Sequence, residues 1–97
     1  MKGDSTLASF HAVVLGRVQG VFFRAFVRHQ AIALGLGGYV RNLTESSTVE
    51  VVAEGERSQL EQLLKHLRRG PVGARVDKVE VRWGDYSGDF SDFSIRY

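Results

Sequence analysis

Two segments of this chain can each bury only one side of a helix, and that limits the fold more than any other feature of the sequence. Across residues 23–34 the apolar side chains of Phe23, Phe26, Val27, Ala31 and Leu34 recur at helical spacing, and Gly35 with Gly37-Gly38 ends the pattern. Leu60, Leu63, Leu64 and Leu67 make a second stripe, with Ser58 and Glu61 in capping-box spacing ahead of it and Gly70-Pro71 as its stop. A helix with one apolar stripe needs another layer to cover it. The remaining apolar runs have strand character. Residues 10–15 form an apolar run ending at Gly16, the pattern of a central strand buried on both sides. Residues 38–44 and 48–54 are rich in β-branched and aromatic residues around the polar cluster Thr44-Glu45-Ser46-Ser47, as in a hairpin with a longer loop. Val79, Val81 and Trp83 alternate with polar neighbours, as do Phe93, Ile95 and Tyr97, and the polar stretch 84–92 separates these last two strands.

The order strand, helix, strand, strand, helix, strand, with a short extra strand at the C-terminus, is the split βαβ pattern. It predicts an α+β, ferredoxin-like two-layer sandwich (βαββαβ), with a mainly antiparallel sheet and both helices on one face. A chain of 97 residues with 43% hydrophobic content suits one domain, over residues 10–97. Residues 1–9 have one lysine and no apolar core, so they read as a flexible tail rather than a signal peptide. Cysteine is absent, which excludes disulfides and thiolate chemistry. No apolar run approaches the roughly 20 residues of a membrane helix, so a cytoplasmic protein with no membrane partner is expected. The net charge of +2, from 13 basic and 11 acidic residues, favours small anions without implying a nucleic-acid surface.

The chemistry concentrates where the first strand runs through glycines into a helix, at Gly16-Arg17-Val18-Gln19-Gly20-Val21-Phe22-Phe23-Arg24. N–H groups in a first helical turn lack intrahelical partners, and with the positive end of the helix dipole they suit a phosphate or carboxylate. The candidate cradle is the backbone of Gln19, Gly20, Val21, Phe22, Phe23 and Arg24, arranged as a nest. Arg24 opposes the dipole at that position, a cost that a bound anion would offset, and its guanidinium fork matches phosphate oxygens. The plainer alternatives are a tight connection that needs glycine for geometry and a solvated surface arginine. Neither Walker A nor Rossmann spacing is present. A second candidate is Gly38-Tyr39-Val40-Arg41-Asn42, where alternation puts Asn42 on the face of Val40, and this strand can run beside the first. Asn at a strand end is commonly a turn former, but its amide can also hold a water molecule without titrating.

These two stretches, with Val14-Leu15 ahead of the first, resemble the two signature motifs of the acylphosphatase family. The resemblance extends to Val49 with Gly55, to Gly70-Pro71, and to Asp92-Phe93-Ser94-Ile95-Arg96-Tyr97. It implies a ferredoxin-like fold and metal-free, cofactor-free hydrolysis of small acyl phosphates to carboxylate and inorganic phosphate. It also implies Arg24 as phosphate binder and Asn42 as holder of the attacking water; inorganic phosphate is expected as product and competitive inhibitor, and the protein as a monomer. One departure stands beside Asn42. The family usually has three residues and then glycine, whereas here Leu43-Thr44-Glu45-Ser46 precedes Ser47, so a different and more mobile turn is expected.

Such a reaction makes modest demands on a protein. The leaving carboxylate has a conjugate-acid pKa of about 4, so no general acid is needed. Neither motif holds a His, Asp or Glu, so a phosphate oxygen of the substrate is the expected acceptor of the water proton. His11, His29 and His66 lack metal-ligand spacing. Phe10, Phe22, Phe23, Phe26 and Trp83 are expected mostly in the core rather than stacked on bases, since the third strand lacks the RNA-recognition signature. Arg68-Arg69 suits a helix C-terminus. The competing functions are a phosphate-binding module that has lost catalysis and, less favoured, a small nucleic-acid-binding domain.

Overall fold

Alternation along the first strand decides the layering. The computed structural model describes residues 6–43 and 47–97. In β1 (Leu7–Arg17), Ala8, Phe10, Ala12 and Val14 are buried, while Ser9, His11, Val13 and Leu15 face the other way and are not. The chain continues as α1 (Phe23–Ala33), β2 (Gly37–Asn42), β3 (Thr48–Glu56), α2 (Arg57–Arg69), β4 (Arg75–Gly84) and β5 (Phe93–Arg96). The strands form one sheet in the order β4-β1-β3-β2-β5, antiparallel except for the parallel pair β2 and β5. Phe23, Val27 and Ala31 of α1 and Leu60, Leu63, Leu64 and Leu67 of α2 join the buried side of the sheet in one core. Each leucine of that stripe contributes about 1.5–3 kcal/mol by burial. The ferredoxin-like α+β sandwich read from the sequence is the observed architecture, and no helix among the described residues is long and apolar enough to cross a membrane.

Four local expectations are corrected. The first strand begins at Leu7, inside the stretch 1–9 read as a tail, because Ala8 pairs with Gly55 and is buried; residues 1–5 lie outside those described. That strand is central but covered on one face only, since His11 and Val13 alternate outward. β2 does not run beside β1: β3 lies between them. Ser58 is not the cap of the second helix; the N-cap is Glu56, with extended backbone (φ −68°, ψ 136°) and no side-chain cap hydrogen bond. The expected mobile turn covers residues 44–46, which lie outside those described.

Two connections matter for the site and for the opposite end of the sheet. Between Leu15 and Gly16 the pairing of β1 with β4 shifts register, and Gly16 sits at φ 138°, where a Cβ would meet the Arg75 carbonyl oxygen at 2.1 Å. Only glycine fits that bulge, which turns the chain out of the sheet toward α1. At the other end the stretch between β4 and β5 crosses the open face from one edge strand to the other. It is held by the buried Glu54 carboxylate, which accepts from Ser87 Oγ at 2.6 Å, Ser87 N at 3.1 Å and Gly88 N at 3.0 Å.

Candidate active site

The connection from β1 to α1 uses two residues in the left-handed region, Gly20 at φ 74° and Phe22 at φ 60°. For Gly20 this is unstrained, but Phe22 is a bulky residue there and is 86% exposed. Phe22 is the N-cap of α1, and the first helical bond runs from Phe26 N to its carbonyl at 3.0 Å. The N–H groups of Phe23, Arg24 and Ala25 are therefore the first-turn donors without helical partners. A strained residue that aims backbone donors at a pocket is a common feature of binding sites.

That pocket, about 330 Å³, is lined by Gly20, Phe22, Phe23, Arg24 and Asn42 together with Val18, Ala25, Ile95 and Tyr97. The two halves proposed from the sequence thus meet in one cavity. Arg24 makes no ion pair among the described residues, and its guanidinium carbon lies 4.7 Å from the centre of the Tyr97 ring. Asn42 is the last residue of β2, on the same side as the buried Val40. Its Oδ1 is buried without a hydrogen-bond partner among the described residues. An orphaned buried carbonyl oxygen costs about 1–3 kcal/mol, so this atom is set for something that donates to it. Gln19 and Val21 do not line the cavity: Val21 packs on the core, and the Gln19 side chain turns toward the β2–β3 hairpin.

A family profile for acylphosphatase matches residues 10–95. This chain belongs to the acylphosphatase family. An acylphosphatase of Dehalococcoides mccartyi is 54% identical over 86 residues, which cover 89% of this chain and 94% of that protein. Among solved structures, an acylphosphatase from Bacillus subtilis is similar with a TM-score of 0.88 and 33% identity, covering 95% of this chain and all of that one. Another from Coxiella burnetii has a TM-score of 0.82 and 40% identity, covering 99% of both chains.

Two pocket residues of this acylphosphatase escaped the sequence reading. Ile95 lies on β5 and Tyr97 directly follows that strand, and the parallel register Val40↔Ile95 brings the following residues alongside Asn42. Their alternation was visible, but which strand they would lie beside was not. Among the described residues the His and carboxylate side chains sit elsewhere. On the open face of the sheet His11 Nε2 donates to Glu50 Oε2 at 2.7 Å and Arg41 Nε donates to Glu50 Oε1. Burial pushes the Glu50 carboxyl up, but the hydrogen bonds from Arg41 and His11 outweigh it and hold the group below its usual range. His66 packs edge-on against Phe26. Phe10 and Phe23 are core residues as expected, and Phe22 is the exception.

Proposed function

We propose that Arg24 and, within the loop 19–24 read from the sequence, the amides of Gly20, Phe22, Phe23 and Arg24 that line the cavity bind the phosphoryl group and that Asn42 holds the attacking water, the division of labour by which this acylphosphatase cleaves the carboxyl–phosphate bond. The observation that carries the reading is the buried Asn42 Oδ1, unpartnered among the described residues, in the same cavity as the Arg24 guanidinium, which makes no ion pair there, and the open helix N-terminus. Arg24 and the amides stabilise the charge spread over the three equatorial oxygens in the loose transition state. Asn42 Oδ1 accepts a hydrogen bond from one O–H of the water, which keeps that proton, and so aims the water lone pair at phosphorus. The water oxygen forms the new P–O bond while the old one breaks, and the electron pair leaves on the carboxylate. The water's second proton goes to a phosphoryl oxygen, so products are carboxylate and dihydrogen phosphate. No His, Asp or Glu is among the described residues that line the cavity, in keeping with a substrate oxygen as the base.

We further propose a monomer acting in the cytoplasm, without a nucleic-acid partner, and inhibited competitively by inorganic phosphate. Benzoyl phosphate with and without a chelator tests the reading, the expected result being equal turnover in both. Arg24→Gln should lower kcat by about 10²-fold and raise the phosphate inhibition constant. Asn42→Ala should lower kcat by about as much with that constant nearly unchanged. Phosphate binding by the wild type without turnover assigns the chain to an inactive module instead. A bell-shaped pH profile that vanishes on replacing one His or carboxylate removes the substrate-base step.

A further inference from the structure

We infer that the Gln19 side chain is a positioning residue that clamps the phosphate loop to the strand end carrying Asn42, an inference that rests on the roles proposed above. Its amide nitrogen donates to the Leu43 carbonyl oxygen at 3.2 Å and to the Thr48 carbonyl oxygen at 2.8 Å. Both partners are acceptors only, so the amide must present its NH₂ to them and its orientation follows from chemistry. Leu43 directly follows Asn42, and Leu43 N donates to Thr48 O at 3.1 Å, so the clamp closes on the rung of the β2–β3 hairpin that follows the Asn42↔Val49 pair.

Among the described residues the backbone joins the loop's strand to the Asn42 strand indirectly, through the β3 residue Val49, which pairs with both Val14 and Asn42, and through Gly16 N donating to Ser47 O at 3.3 Å. β3 separates β1 from β2, so no backbone ladder directly joins the strand that feeds the loop to the strand that carries Asn42. The loop holds Phe22 in a left-handed conformation and needs outside support to keep it. Asn42 Oδ1 has no partner among the described residues to fix it, so its place follows from where the strand end is held. An error of about 1 Å in a positioned group can lower a rate by about 10²-fold.

The test compares Gln19→Leu, which keeps the bulk and removes the donors, with wild type on benzoyl phosphate. The expected result is a fall in kcat of about 10- to 100-fold, with KM and the phosphate inhibition constant within about threefold. Combined with Asn42→Ala, the same change should remove almost nothing further from the residual turnover, because Gln19 acts through Asn42. In Gln19→Glu the carboxylate faces two carbonyl oxygens, and kcat relative to wild type should recover as acid restores an O–H donor. Unchanged kcat in the Leu variant, a parallel loss of phosphate affinity, or full additivity with Asn42→Ala overturns the inference alone. Loss of the folded state in both Gln19 variants assigns the residue to stability and overturns it as well. A wild type without turnover overturns the site assignment and this inference together.

Discussion

At the scale of single residues, the departure beside Asn42 has a physical signature. Ser47, read from the sequence as standing in for a glycine of the family pattern, sits at φ 65°. A left-handed backbone costs a residue with a Cβ about 1–2 kcal/mol, and glycine gives back part of that gain as chain entropy. Ser47→Gly should therefore stabilise the protein by about 0.5–1 kcal/mol, read as a rise in thermal midpoint of a few degrees. An unchanged or lower midpoint would show that the serine is at ease there. The motif residues were legible from the sequence because a strand-to-helix junction with glycines has few conformations open to it. Gln19 was legible only as a backbone donor, since the targets of its side chain lie 24 and 29 residues away.

At the scale of elements, the apolar stripes placed both helices, and the stop signals at Gly35 and Gly70 ended them within a residue or two. The start of α2 was misread because a capping box is a local pattern, whereas the helix begins where β3 ends. Arg57 N is taken by the Thr6 carbonyl at 2.8 Å, a partner from β1's approach that no local rule could supply. Glu56 has cap geometry without a cap hydrogen bond. Shortening it to Asp keeps the charge and lets an oxygen reach the free amides of the first turn. Glu56→Asp should add about 0.5–1 kcal/mol of stability in a denaturant titration, with no change in kcat. A loss of stability would mean that the longer side chain has a role in the wild type.

At the scale of the whole molecule, two carboxylates on β3 tie distant segments together. Glu54→Ala should free the crossing between β4 and β5 and cost about 1–3 kcal/mol, the lower end if water replaces the protein donors. Faster amide exchange at Ser87 and Gly88 is the local readout, and unaltered exchange there would refute the clamp. Glu50 joins β1 to β2 through His11 and Arg41. Its carboxyl is held below the usual range, so its contribution is present above the unfolded value of about 4.3 and is lost as pH falls through the lower folded value. Glu50→Gln should then be less stable than wild type at neutral pH, with the two midpoints converging in acid. A gap that stays constant down to pH 3 would exclude ionisation as the cause.

The sequence by itself determined the element order, the helical stripes, the strand-to-helix junction and the side of the strand on which Asn42 lies, because each depends on spacing within a dozen residues. Tertiary structure decided which strands are neighbours, and with that the insertion of β3 between β1 and β2. It also brought Ile95 and Tyr97 into the cavity, buried Glu54 under a distant loop and aimed Gln19 at the hairpin that follows Asn42. These features depend on contacts between segments far apart in the chain, whose pairing is chosen by the packing of the whole sheet rather than by any local periodicity.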